Sequence, residues 1–226
     1  MLWQHNSFDV PWVAPDLADS EGFVGMGGDL SIPLLLRAYR EGIFPWYNEG
    51  DPILWWSPDP RAIFEFEDFH ISRRLARTIR SGKFSITFNQ AFPSVIAHCA
   101  QRPEGTWITR DMMHAYITLH QYGYAHSVES WFNGRLAGGV YGVAIGAFFA
   151  AESMFFSVSD GSKVALVSLI SHLKSRGFTL VDTQIATEHT KFFGAQEIFR
   201  SVYIRRLNLA IRQSNITFLP RTVEDR

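Results

Sequence analysis

The sequence predicts a mixed protein, an α+β or α/β sheet with helices packed on it, preceded by a small N-terminal region of different character. Three observations carry this. From Arg61 onward, short apolar runs alternate with helix-period stretches. The first fifty-odd residues are instead rich in Gly, Pro and Trp. Of the 226 residues, 46% are hydrophobic and 15% aromatic, enough for a full core, while the 19% charged is below the roughly 25% usual for soluble domains.

Taken in order, Gly25-Met26-Gly27-Gly28-Asp29-Leu30-Ser31 reads as a turn into a helix capped by Asp29 or Ser31. Pro33 suits its first turn, and Leu34 to Tyr39 continue it until Gly42. These glycines lack the G-x-G-x-x-G spacing after a strand, so they read as a helix entry, not a nucleotide loop. Pro45, Pro52, Pro58 and Pro60 break any helix that follows, and a domain junction is expected near Ser57, with 1–57 and 58–226 as the two domains. Strands are expected at 61–66 and 84–88 around a helix at 72–80. Helices at 91–100 and 110–122 come next, the second capped by Thr109. A meander at 126–132, 135–143 and 147–155 is marked by the Asn133-Gly134 turn. A helix from Asp160-Gly161-Ser162 to Lys174 stops at Gly177, a buried strand covers 178–184, and a short helix, a strand at 198–202 and a helix at 203–212 close the chain.

Composition excludes several function classes. The longest apolar stretch, from Leu136 to Ala151, is interrupted by Gly138, Gly139, Gly142 and Gly146 and falls short of the ~20 residues of a membrane helix. Met1-Leu2-Trp3-Gln4-His5-Asn6 has neither a basic nor an apolar leader region, so a cytoplasmic protein is expected. One cysteine, Cys99, excludes an internal disulfide and a Cys-rich zinc site, and its neighbours Ile96 and Ala97 favour a buried thiol. No H-E-x-x-H, G-x-S-x-G or P-loop spacing occurs, so neither a metal nor serine-hydrolase chemistry is expected. The formal net charge is −1, so a nucleic acid partner must be held by a local patch.

Such a patch exists. Arg73, Arg77 and Arg80 stand at i, i+4 and i+7, with Arg74 and Lys83 beside them and no acid between Ile71 and Lys83. Surface faces usually mix signs, whereas one sign along a helix suits a phosphate backbone. Trp46, Tyr47, Trp55, Trp56 and Trp107 lie in or near turns. Core packing is the reading for Trp55 and Trp56, and a stacking platform for a base is the reading for Trp46 and Trp107. Glu152 ends one apolar strand, and Asp182 and Gln184, two apart and so on one face, end another. A carboxylate there is costly unless paired or solvated in a cleft, which suits a site, although a structural hydrogen-bond network is the competing reading. His189 reads as a structural hydrogen-bond partner.

At Gly27-Gly28-Asp29-Leu30, Gly42-Ile43-Phe44-Pro45-Trp46, Asp51-Pro52-Ile53-Leu54-Trp55-Trp56-Ser57-Pro58-Asp59-Pro60-Arg61, Glu104-Gly105-Thr106-Trp107-Ile108-Thr109, Glu152-Ser153-Met154-Phe155 and Asp182-Thr183-Gln184, the chain resembles the leucyl/phenylalanyl-tRNA–protein transferases. The resemblance implies an α+β fold, a small N-terminal domain beside a larger mixed-sheet domain of the Gcn5-related acetyltransferase kind, flanked by helices. It implies transfer of Leu, Phe and less readily Met from aminoacyl-tRNA to proteins with N-terminal Arg or Lys, marking them for degradation. No cofactor, no membrane and a monomer are expected beside it. It places Trp46 and Trp107 at the terminal adenosine with Tyr116 nearby, and Glu152, Asp182 and Gln184 at the reacting centre. Val140, Phe149, Leu166, Leu169 and Val181 match the aminoacyl pocket, and Arg73, Arg77, Arg80 and Lys83 are expected to hold the tRNA.

Aminolysis of an ester fits these residues, because the ester already stores the energy and the protein has only to position an amine against a carbonyl and steady the oxyanion. Gln184, oriented by Asp182, is expected to hydrogen-bond the amine or carbonyl, and Glu152 to hold the cationic acceptor. Two rivals are an acyl-CoA-dependent N-acyltransferase and a non-catalytic RNA-binding module. The first should place a Gly-rich pyrophosphate loop at a helix N-terminus, where Asp160 stands here. The second has no use for Asp182 and Gln184.

Overall fold

The computed structural model describes residues 11–101 and 106–219. Met1–Asn6 and the Glu104-Gly105 part of the fourth motif lie outside them. The chain runs β1 (Phe23–Met26), α1 (Ile32–Arg40), β2 (Phe44–Pro45), β3 (Leu54–Trp56), β4 (Arg61–Phe64), α2 (Arg73–Arg80), β5 (Ser85–Phe88), α3 (Phe92–Ala100) and α4 (Arg110–Gln121). It continues through β6 (Ala125–Phe132), β7 (Arg135–Ile145), β8 (Phe148–Phe156), α5 (Gly161–Arg176), β9 (Leu180–Gln184), α6 (Glu188–Phe192), β10 (Gln196–Ile198) and α7 (Arg200–Ile211). The mixed α+β class is therefore observed.

Local chemistry sets most of these boundaries. Thr109 Oγ1 caps α4 by accepting from the Met112 N–H, and Ser72 Oγ caps α2 by accepting from the Leu75 N–H. Ser31 occupies the cap position of α1 but its hydroxyl does not cap; Asp29 Oδ1 instead accepts from the Ser31 N–H and rigidifies the approach. Asn133 and Gly134 both take positive φ, as a tight hairpin turn requires. One correction falls at the end of the chain. The expected strand at 198–202 is β10, at Gln196–Ile198, and α7 begins at Arg200, whose N–H donates to Asp59 Oδ1 across 141 residues of sequence. A helix start satisfied by so distant a side chain leaves no local signal.

β1, β3 and β2 form a three-stranded sheet, and the other seven strands form a second sheet in the order β10-β4-β9-β8-β7-β6-β5. β8 and β9 run parallel and the other neighbours antiparallel. One face of the large sheet buries Ile63, Tyr141, Phe148 and Leu180 against Leu35, Ile96, Met112 and Leu207 of α1, α3, α4 and α7. Trp55 of the small sheet and Trp12, which bridges to β1 at Gly25, belong to the same core, and Trp55 Nε1 donates to Gly27 O, in line with the packing role expected of Trp55. The opposite face buries Val140, Phe149 and Val181 against Leu166, Leu169 and Leu173 of α5. That helix seats tightly because a side chain at Gly138 would stand 2.4 Å from the Gly161 carbonyl carbon, so only glycine lets its first turn reach the strand. Cys99 is buried.

Candidate active site

Two irregularities in the large sheet open a cleft. The β8–β9 ladder pairs Phe148 with Leu180, Phe149 with Val181 and Ala150 with Asp182, and ends there. Just beyond, β8 carries an extra residue against β7: Tyr141 pairs with Ser153 and Gly142 with Ala151, leaving Glu152 bulged. On β9, Ala62 pairs with Gln184 and Ile63 with Asp182, leaving Thr183 bulged. Bulges re-aim side chains. These two turn Glu152 and Thr183 toward the gap where the strands part, and Gln184 closes it at φ +57.

The cleft has two lobes. One, of about 390 Å³, includes Phe64, Val140, Met154 and Leu166 in its wall, together with Ser162, His189 and Thr190. The other, of about 200 Å³, lies along Phe44, Pro45 and Trp46. Trp107, Glu152, Thr183, Gln184, Ile185 and Thr187 line both and mark the junction. Trp46 is 43% exposed, with its ring set edgewise against Trp56.

Behind the junction lies a buried polar network. Tyr39 Oη donates to Glu152 Oε1 at 2.8 Å and touches Tyr116 Oη, which donates to Glu152 Oε2 at 3.4 Å. Burial pushes the Glu152 carboxyl up to about 8; the bond from Tyr39 opposes this, Asp182 adds to it, and Arg61 and Tyr116 oppose it. Arg61 is fully buried and grips Asp182 bidentately, Nε to Oδ1 at 2.9 Å and Nη2 to Oδ2 at 2.6 Å. Its guanidinium also donates to Gly42 O and lies over the rings of Phe44 and Tyr203. Tyr203 Oη donates to Asp182 Oδ2 at 2.9 Å, and the Gln184 N–H donates to Oδ1 at 2.9 Å. The Gln184 amide is satisfied with Nε2 on the carbonyls of Ala151 and Thr183, both 3.0 Å away, which turns Oε1 toward the Glu152 carboxyl.

The structure thus brings Trp46, Trp107, Glu152, Gln184, Val140 and Leu166 to one cleft. It moves others off it. Phe149, Leu169 and Val181 are buried in the core beneath and do not line either lobe. Tyr116 is also fully buried, set behind Glu152 and away from the stacking surface. Asp182 is buried beneath the junction, because the Thr183 bulge breaks the alternation that would have kept it level with Gln184; it orients that residue through the backbone N–H. His189 Nε2 is buried with no hydrogen-bond partner among the described residues, so its expected structural bond is not made there. Arg61, Tyr39 and Tyr203 were not expected at the site. The signal for Arg61 was an arginine opening the apolar run Arg61-Ala62-Ile63-Phe64, since a buried cation needs a buried anion.

Arg73, Arg77 and Arg80 are exposed on α2 and form no ion pair among the described residues. Arg74 pairs with Asp160 at 3.4 Å, which ties the start of α2 to the first turn of α5, next to Ser162 of the larger lobe. Lys83 is exposed with Nζ over the rings of Phe84 and Phe132.

Two lobes meeting at a polar junction hold two reactants side by side, and no redox group or nucleophilic triad is needed to pass an acyl group between them. By its fold and cleft the chain is a transferase of the acyl-transfer class. Known proteins narrow this. The family profile described as leucyl/phenylalanyl-tRNA protein transferase matches residues 63–208, and that of its N-terminal domain matches residues 28–59. A leucyl/phenylalanyl-tRNA–protein transferase of Solidesulfovibrio magneticus is 50% identical over 216 residues, 92% of this chain and 87% of that one. One of Magnetococcus marinus is 49% identical over 217 residues, 93% of this chain and 91% of that one. Among solved structures, a GCN5-related N-acetyltransferase-like protein from Streptococcus suis matches at a TM-score of 0.36 and 11% identity, over 74% of this chain and 63% of that one. The chain belongs to the leucyl/phenylalanyl-tRNA–protein transferase family.

Proposed function

We propose that the cleft moves leucine or phenylalanine, and methionine less readily, from aminoacyl-tRNA to the α-amine of proteins beginning with Arg or Lys, marking them for proteolysis. The observation that supports this best is the pairing of an apolar lobe with an aromatic-lined one across a carboxylate and an amide. The aminoacyl side chain enters the lobe of Val140 and Leu166, and the terminal adenosine lies against Trp46 and Trp107. The ester is then left beside Gln184, and the cationic acceptor approaches Glu152. Arg73, Arg77, Arg80 and Lys83 take the tRNA phosphates. Phe149, Leu169 and Val181 shape the first lobe from beneath, Tyr116 holds Glu152, and Asp182 holds Gln184.

In the same reading the chain divides near Ser57, where the small sheet gives way to the large one, and works as a cytoplasmic monomer. No helix among the described residues is long and apolar enough to cross a membrane. Asp160 occupies the N-cap position of α5 and is paired with Arg74, which disfavours an acyl-CoA pyrophosphate at that position. The decisive experiment is incubation with Leu-tRNA and an Arg-initiated peptide, followed by mass measurement. A gain of one leucyl residue is expected, and acylation from acetyl-CoA instead would support the rival transferase.

A further inference from the structure

Every acceptor position on Asp182 is occupied. Oδ1 takes the Arg61 Nε–H and the Gln184 N–H, both at 2.9 Å, and Oδ2 takes the Arg61 Nη2–H at 2.6 Å and the Tyr203 hydroxyl at 2.9 Å. The carboxylate is fully buried against a permanent cation, so protonating it would break a bidentate pair and strand Arg61. An amide such as Gln184 is not basic in water. Of the groups that line the junction, this leaves Glu152 to accept a proton during aminolysis.

Resting on the transfer reaction proposed above, we infer that Glu152 is the general base that deprotonates the acceptor α-ammonium, with Tyr39 and Tyr116 as the positioning residues that hold its carboxylate at the junction of the two lobes. Glu152 has the geometry for it, since the β8 bulge turns it into both lobes while the two phenols fix it from α1 and α4. The charged and titratable groups around it are Tyr39 on α1, Tyr116 on α4, Arg61 on β4 and Asp182 on β9. Arg61 is neutralised by Asp182, so neither swamps Glu152. A carboxyl raised to about 8 is matched to an α-ammonium of pKa ~7.7–8.0, which makes the transfer nearly thermoneutral.

The protons balance. The acceptor nitrogen begins with three: one passes to Glu152 and frees the lone pair, which forms the N–C bond at the ester carbonyl carbon. As the C–O bond to the ribose breaks, the leaving oxygen takes the second proton, and the third remains as the amide N–H. Glu152 returns its proton to water through the open cleft.

Steady-state kinetics of the full-length enzyme with Leu-tRNA test this, using peptides that begin with Arg and with Ala. Glu152→Gln should lower kcat by 10²–10⁴-fold with both peptides. A residue that only binds the acceptor's positive side chain would raise KM for the Arg peptide alone, and that result overturns the inference. Tyr39→Phe keeps the ring and removes a bond that favours the carboxylate, so the ascending limb of kcat, where Glu152 ionises, should move to higher pH with the rate largely regained there. An unmoved limb also overturns it. Wild-type enzyme that transfers no leucine would fell the proposed function instead, which keeps the two failures apart.

Discussion

Tyr39 Oη stands 2.8 Å from Oε1 of Glu152, so a phenol on the first helix fixes a carboxylate that a bulge in the eighth strand has turned into the cleft. Holding it there has a cost that depends on pH. The native carboxyl keeps its proton up to about 8, mainly because burial disfavours the charge, whereas the unfolded chain ionises near ~4.3. The native state thus binds more protons between those values. The stability this group contributes is complete below the lower value and is lost as pH rises through the upper one, at up to ~1.4 kcal/mol per pH unit. Glu152→Gln should therefore raise Tm at pH 8, by on the order of 10 °C if the whole cost is expressed, with the gap closing toward pH 5. Thermal denaturation across that range measures it, and a gap constant with pH would contradict the raised carboxyl.

Arg61 and Asp182 are interior on strands that pair with one another. Removing one partner leaves an uncompensated buried charge, so Asp182→Asn or Arg61→Met should each destabilise by ~3–5 kcal/mol. The double change Arg61→Met with Asp182→Asn should cost much less than the sum. Urea unfolding of the three variants checks this, and strict additivity would show that the pair is not coupled.

On the exposed face of α2, Arg73, Arg77 and Arg80 have no acid paired with them among the described residues. Changing all three to Gln should weaken tRNA binding and reduce the magnitude of the slope of log K against log salt by about 2–3, since each lost phosphate contact releases fewer counterions. Filter binding between 50 and 200 mM salt, on the order of the range where such slopes are resolved, reads this out. An unchanged slope would remove the stripe from the tRNA site.

Trp46 and Trp55, only nine residues apart, should behave in opposite ways. Trp46 is 43% exposed at the mouth of a lobe, so Trp46→Ala should cost roughly 1–3 kcal/mol in use of charged tRNA and leave Tm nearly unchanged. Trp55 is fully buried, and Trp55→Ala should cost ~3–5 kcal/mol of stability. Activity per folded molecule, compared with Tm, separates stacking from packing.

The sequence made the ends of β8 and β9 legible as a site because a carboxylate and an amide terminate apolar runs, where burial without a purpose is expensive. The bulges at Glu152 and Thr183 were not legible, since strand alternation presumes that no extra residue intervenes, and with them went the separation of Asp182 from Gln184. Tyr39 was hidden by its place in the apolar stripe of a helix, where an aromatic reads as core. It is core, and its hydroxyl alone reaches the cleft network. Phe149, Leu169 and Val181 show a further limit: periodicity assigns a side chain to a face but not to a depth, and these three lie under the lobe they were expected to line.

That difference in depth changes how donor choice should respond to mutation. Val140 and Leu166 are in the lobe wall, whereas Leu169 is buried in the core below it. Leu169→Phe should therefore act as an overpacked core substitution, costing ~1–3 kcal/mol of stability, with only a small change in the ratio of Phe to Leu transferred. Leu166→Phe adds bulk to the wall itself and should penalise Phe more than Leu. With the wild-type lobe, a methylene is worth only ~1–3 kcal/mol in an apolar site, so Leu, Met and Phe should all react with graded efficiency. Ile and Val carry a branch next to the reacting carbonyl, where Glu152, Thr183 and Gln184 crowd the junction, and should be poor donors. Competition among Leu-, Phe-, Met-, Ile- and Val-tRNA for one Arg-initiated peptide, with the wild type and both variants, measures all of this. Equal use of Ile and Leu by the wild type would sink the assignment of the lobe, and a larger selectivity change from Leu169→Phe than from Leu166→Phe would reverse the depths assigned to the two residues.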